Sequence, residues 1–214
     1  MKHPDEVCHE LYHDWYEYTL TECVEQLAQM GFMIKYTTVR GNKKDTEPAI
    51  FFDEHNVAFD ADVDWDIFFL NDKTFAEEYP HFFMLASANP KYYTAQVRRT
   101  GHRCLGIECG VVEYDINTEY HENDIVEAGF FKGVTIGEVA AQIDCEKVSE
   151  YILDVAKTLA RAFKNQLDAE YDYQYNEIYE QYVQDYREWQ EAEHERTRDT
   201  DLDGSTDCRL GESH

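Results

Sequence analysis

Residues 56–69 read NVAFDADVDWDIFF, in which Phe59, Ala61, Val63 and Trp65 alternate with Asp60, Asp62, Asp64 and Asp66. A period of two is that of a strand with one apolar face turned to a core and one face turned to water. Short aromatic or β-branched runs recur on either side: FMIKYTTVRG (32–41), AIFFDE (49–54), YYTAQVRR (92–99) and CLGIECGVVEY (104–114), separated by Gly, Pro or Asn. Together they predict a mainly antiparallel sheet of about five strands, with a short helical turn around Phe75 to Tyr79.

Outside this block the period changes. Pro4, with Asp5 and Glu6 behind it, and Gly31 at the far end frame an N-terminal helical segment. Val7, Leu11 and Trp15, then Leu20, Val24 and Leu27, supply its apolar stripe, with a break expected near Thr19. Thr135 and Glu138 form a T-x-x-E capping box flanked by Val134 and Val139, so another helix is expected to start there. Between Gly137 and Gly204 there is neither Gly nor Pro, and apolar positions recur every three or four residues from Val148 through Ile152, Leu159, Phe163, Tyr171, Tyr182 and Trp189. A straight helix over residues 146–198 would be roughly 80 Å long, against a radius of gyration near ~17 Å for a compact chain of this size. Either it breaks, in the Asn165 to Asn176 stretch of weaker helix formers, or it packs on another chain. The expected fold class is α+β: an N-terminal helix, the antiparallel sheet, and a long C-terminal helix or helical hairpin. The expected organisation is an α+β domain over 1–145, an acidic Tyr-rich helical element over 146–198 and an acidic tail over 199–214.

The chain has 214 residues with 45 Asp and Glu against 19 Lys and Arg, a formal charge of −26. Its 43% hydrophobic and 14% aromatic content is far above that of an acidic disordered chain. Such a charge excludes a protein that grips nucleic acid or anionic lipid with its general surface. The acid is spread through segments expected to fold, and two stretches, 32–48 and 81–103, carry net charges of +2 and +4. Residues 146–167 hold three acids and four bases, whereas 168–198 hold ten acids and three bases. The N-terminus carries no apolar run typical of a secretory signal, and no apolar run is long enough to span a membrane. The six cysteines form no C-x-x-C pair and read as reduced thiols in a cytoplasmic protein, in the host cell if the protein is viral.

Four aspartates on one strand face would stand ~6.7 Å apart. Asp is a poor strand former, and neighbouring carboxylates repel by ~0.6 kcal/mol even in water. Solvation alone leaves that choice of residue unexplained, whereas a row of fixed negative charge is what a DNA-binding protein seeks. In charge and aromatic content the chain resembles the DNA-mimic proteins with which phages and mobile elements block restriction enzymes, CRISPR effectors or nucleoid proteins. That resemblance implies a non-enzymatic inhibitor with a basic nucleic-acid-binding protein as partner, no direct contact with nucleic acid or membrane, and no cofactor or metal. The expected contact residues are Asp53, Glu54, Asp60, Asp62, Asp64, Asp66, Glu177, Glu180, Asp185 and Glu188. The main alternative is a structural or assembly protein, in which the long aromatic helix forms a homodimer and the acid keeps it soluble. High-salt adaptation would also give dense acid, although ten Lys and six Cys fit it poorly.

Other patterns compete with this one. His9-Glu10-Leu11-Tyr12-His13 matches H-E-x-x-H and resembles the zincin metallopeptidases, in which two histidines one turn apart bind zinc. Only eight residues precede it, and Asp14 follows where an uncharged residue is preferred, so a His pair on an acidic helix is the better expectation. Asp199 to Asp207 resembles the first half of an EF-hand loop, but Leu210 stands where the bidentate Glu belongs. Gly101, Gly106 and Gly110 follow no βα pattern that cradles phosphate. Lys91, Arg98, Arg99 and Arg103 form a basic island expected to pair within the protein or with a second copy.

Overall fold

The computed structural model describes residues 1–38, 46–53, 55–101, 105–113 and 136–203, and the side chains of all of these except residues 5, 8–16 and 199–203. The chain forms two compact units, one of residues 19–166 and one of residues 1–18 with 167–214.

Helix α1 spans Pro4–Gln29 without the expected break at Thr19. Thr19, Cys23 and Leu27 lie one turn apart and are all buried, so packing of this line overrides the weak local propensity of Tyr18 and Thr19. The helix closes into Gly31, whose φ of +88° is a left-handed conformation that glycine adopts without steric cost.

The sheet region is antiparallel throughout, with β1 (Phe32–Ile34), β2 (Tyr36–Thr38), β3 (Thr46–Pro48), β4 (Ile50–Phe52), β5 (Val57–Phe59), β6 (Ala61–Val63), β7 (Tyr93–Thr100) and β8 (Gly106–Glu113). Four of them form one sheet in the order β1-β6-β7-β8, while β2-β3 and β4-β5 pair separately. Each of the five extended runs expected from the sequence contributes strand, but the third turns helical at Trp65; Lys35 and Asp60 interrupt the first and third, and Ala49 separates β4 from β3, which lies outside the expected runs. Lys35, Ala49 and Asp60 knit to one another through the backbone. The Lys35 N–H donates to the Asp60 carbonyl at 2.9 Å, the Ala49 N–H to the Lys35 carbonyl at 2.8 Å, and the Asp60 N–H to the Ala49 carbonyl at 2.9 Å. Strand pairing changes partner across this row, so β5 pairs with β4 whereas β6 pairs with β1 and β7.

Three short helices follow: α2 (Trp65–Asn71), α3 (Lys73–Glu78) and α4 (Pro80–Ala88). They carry the aromatic core. Trp65, Phe68, Phe75 and Phe82 are buried with Phe32, Phe59 and Tyr93, mostly edge to face; Trp65 and Phe82 stand 4.9 Å apart and Phe68 and Phe75 5.4 Å apart. Such geometry contributes beyond area burial. The Trp65 Nε1–H donates to the Tyr93 carbonyl at 2.7 Å, which satisfies the one polar atom of the indole.

Helix α5 (Ile136–Ala140) begins where the capping box placed it, although Thr135 lies outside the described residues. The backbone then stays helical from Cys145 to Asp203, as α6 (Cys145–Asp172), a π-helical segment (Tyr173–Tyr179) and α7 (Glu180–Asp203). In α6, Val148, Ile152, Ala156, Ala160 and Phe163 form the buried line, and Tyr151 reaches Asp72 Oδ2 with its hydroxyl at 2.8 Å. In place of a break in the Tyr- and Asn-rich stretch there is the π segment, which takes up an extra residue per turn; Tyr171 and Tyr175 stack at 5.8 Å alongside it. Within the unit of residues 1–18 and 167–214, the Tyr182 hydroxyl donates to the Lys2 carbonyl at 3.0 Å and Tyr186 meets His3 edge to face at 5.9 Å. Part of the aromatic stripe is thus covered by the chain's own N-terminus.

Candidate functional site

The run FDADVDWD is not one strand. It is the end of β5, a one-residue junction, strand β6, and then a helix that begins at Trp65. The four aspartates therefore occupy four different positions. Asp60 sits at the junction and accepts the Arg99 N–H on Oδ1 at 2.6 Å. Asp62 lies on β6 opposite Met33 and Gln96, exposed and paired with Lys35 at 2.9 Å. Asp64 is the N-cap of α2, its Oδ1 accepting from the Asp66 and Ile67 N–H groups at 3.1 and 3.2 Å. Asp66 lies exposed in the first turn of that helix, where negative charge complements the helix dipole. Aspartate is thus explained locally: it is a poor strand residue but a good junction and cap residue.

Asp53 is likewise engaged. Its Oδ1 accepts the N–H groups of His55 and Asn56 at 2.8 and 2.7 Å, and its Oδ2 accepts the Leu105 N–H at 3.2 Å. These hydrogen bonds, the one from His55 foremost, hold its carboxyl below the usual carboxylate range. It shapes the β4–β5 connection and ties it to the start of β8. Glu54 lies outside the described residues.

Glu177 falls on the π segment, and Glu180, Asp185 and Glu188 on α7. All four are exposed. Gln181 donates to Asp185 at 2.8 Å and Gln184 to Glu188 at 3.4 Å, and none of the four is in an ion pair with a cation among the described residues. In this stretch Glu193 pairs with Arg196 at 3.1 Å. Of the nine expected contact residues that are described, Asp53, Asp60 and Asp64 are thus engaged by backbone N–H groups, whereas Asp62, Asp66, Glu177, Glu180, Asp185 and Glu188 are exposed.

Of the basic island, Arg99 is half-buried with its guanidinium 3.7 Å above the Phe51 ring, while Lys91 and Arg98 are exposed and Arg98 hydrogen-bonds Gln96. Arg103 lies outside the described residues. The thiols of Cys23 and Cys109 are pushed up by burial to about 11 and about 12, and that of Cys145 is raised for the same reason. They stay protonated at neutral pH and are poor nucleophiles. Among the described residues no three His, Cys, Asp or Glu side chains gather as a metal site. The H-E-x-x-H side chains and most of the EF-hand-like stretch lie outside those described. No described helix is long and apolar enough to cross a membrane.

Comparisons with protein-family models, with curated proteins and with solved structures found no match for this chain.

Proposed function

We propose that the protein is a non-enzymatic acidic inhibitor that occupies the nucleic-acid-binding site of a basic partner, such as a restriction enzyme, CRISPR effector or nucleoid protein met in the cytoplasm of a host cell. The observation that carries the proposal is the exposed acid of the C-terminal helix. Glu180, Asp185, Glu188 and Glu191 follow one another with axial rises of roughly 4.5–7.5 Å, comparable in scale with the ~3.4 Å per phosphate along one DNA strand. A helix holds these charges in place without ordering them at the moment of binding. Asp62 and Asp66 are exposed and available as secondary contacts, whereas Asp53, Asp60 and Asp64 support the reading only through their contribution to the overall field.

The test is capture of a duplex-binding protein on immobilised protein, with elution by a salt step and by competing duplex DNA. Replacing Glu177, Glu180 and Glu188 with Gln and Asp185 with Asn should abolish capture with the fold intact. Capture that survives high salt, or that duplex DNA does not compete, counts against mimicry.

Tyr171, Tyr173 and Tyr175 are 43–48% exposed and Trp189 is 39% exposed. They favour a second reading, assembly through the C-terminal helix. Self-association of that kind strengthens with salt, while mimicry weakens, so sedimentation across a salt series separates the two.

A further inference from the structure

Beside β8, the last strand in the described sheet order, the unit of residues 19–166 contains a cleft of about 360 Å³, within the range of small-molecule sites. Its existence follows from how α6 meets the strand. The Val111 N–H donates to Ser149 Oγ at 3.0 Å, which pins α6 to β8 at one end. From Ser149 to Arg161 the helix advances about 18 Å, and from Val111 back to Gly106 the strand covers about 17 Å, so helix and strand run alongside each other. The cleft lies at the far end of that run, where the β4–β5 connection shaped by Asp53 forms another wall.

Its chemistry is the reverse of the protein's. Val57, Leu105 and Ala160 supply apolar lining. Lys157, Arg161 and Lys164, at spacings of four and three residues on one face of α6, project on one side, with His55, Asn56 and Asn165 around them. Acids outnumber bases more than two to one in the chain, yet none of the described residues lining the cleft is an acid. Neither Lys157 nor Arg161 is in an ion pair with a carboxylate among the described residues.

A backbone donor adds to these. The N–H groups of Val111 and Leu105 both point away from β7, to Ser149 and to Asp53. By the two-residue alternation of a strand, the Ile107 N–H between them points the same way, and Ile107 lines the cleft.

We infer that this cleft binds a phosphate-bearing small molecule of about nucleotide size. The phosphate meets Lys157 and Arg161 with the Ile107 N–H, and the remainder of the molecule rests on Val57, Leu105 and Ala160. Arg supplies a planar fork for two phosphate oxygens and Lys a point charge, while the side-chain amides serve hydroxyl or ring groups. The site is built from residues of the 19–166 unit alone and does not depend on the proposed inhibition. Because the overall charge repels anions, moderate salt should speed binding even as it screens the final contacts.

Titration of the full chain with inorganic pyrophosphate and with AMP, followed by calorimetry and by the amide resonance of Ile107, tests the proposal. The expected result is saturable binding of both, tighter for AMP, with a shift of the Ile107 amide. The double variant Lys157→Gln/Arg161→Gln should weaken both at least tenfold, and Lys91→Gln, elsewhere in the same unit, should change neither. Absence of saturable binding, unchanged affinity in the double variant, or equal loss in Lys91→Gln would overturn it. Binding of an acidic peptide in preference to both phosphates would overturn the ligand class.

Discussion

Alanine substitution of the four aspartates, one at a time, separates two accounts of FDADVDWD. On a single water-facing strand face all four replacements would be alike and within about 0.5 kcal/mol of neutral. The structure gives each a different cost. Asp60→Ala removes a charged acceptor from the part-buried Arg99 N–H, bound at 2.6 Å, which should cost about 1.5–3 kcal/mol. Asp64→Ala removes the cap from two N–H groups of α2, costing about 0.5–2 kcal/mol. Asp66→Ala loses a first-turn acid, about 0.3–1 kcal/mol. Asp62→Ala loses a pair whose side chains are 54% and 38% exposed, at most about 1 kcal/mol. The conservative series behaves differently: Asn caps a helix as well as Asp and keeps an acceptor oxygen for Arg99, so all-Asn should lie within about 1.5 kcal/mol of the parent. All-Ala should lose about 2–7 kcal/mol, a large share of the stability of an ordinary domain. Urea unfolding followed at Trp65, with Trp15 and Trp189 replaced by Phe, reads the unit that contains the aspartates. Four alanine variants of equal stability, or an all-Asn variant as damaged as all-Ala, would refute the assignment.

Gly31→Ala places a side chain at φ +88° with its Cβ 2.7 Å from the Phe68 backbone nitrogen, and should cost about 2–5 kcal/mol by the same unfolding assay. Tyr93→Phe removes a buried hydroxyl with no hydrogen-bond partner among the described residues; it should be neutral or stabilising by up to about 2 kcal/mol, and a loss above 1 kcal/mol would show that the hydroxyl is satisfied. Asp53 and Asp144 have folded-state pKa values below the ordinary 3.8, chiefly through backbone N–H donors from His55 and Lys147. The unfolded chain therefore binds their protons first, and their stabilisation is present above about pH 4 and lost as pH falls through the lower folded values. Asp53→Asn/Asp144→Asn should accordingly lose less stability than the parent between pH 5 and pH 3, and identical slopes would contradict this.

Much of the fold was legible because it rests on short-range pattern. The alternation in YYTAQVRR became β7, with Tyr93, Ala95 and Val97 inward, and the capping box marked the start of α5. The stripe from Val148 was correct in period but not in detail, since Ala156 and Ala160 are buried where Val155 and Leu159 are only partly so; close approach of a helix to its neighbours selects small residues. The aspartate row was misread because alternation cannot distinguish an eight-residue strand from a three-residue strand ending at a helix cap. Asp64 followed by Trp65 and Asp66 was a readable cap signal. The cleft had a weaker one: residues 146–167 are close to neutral in a chain of −26, and three of their four cations, Lys157, Arg161 and Lys164, fall on one helical face.

By itself the sequence determined the faces. Period and composition decide which side chains of a segment turn inward, that a core of aromatic residues forms, and that the C-terminal helix is acidic on its exposed side. Only the tertiary structure decided what the charges do. Asp60 meets Arg99 across 39 residues and Asp53 meets Leu105 across 52, and Lys157 and Arg161 share a cleft with a strand edge about fifty residues away. A carboxylate or an ammonium group takes its role from the donors and charges within a few ångströms, and those neighbours are supplied by the fold, not by the adjacent residues.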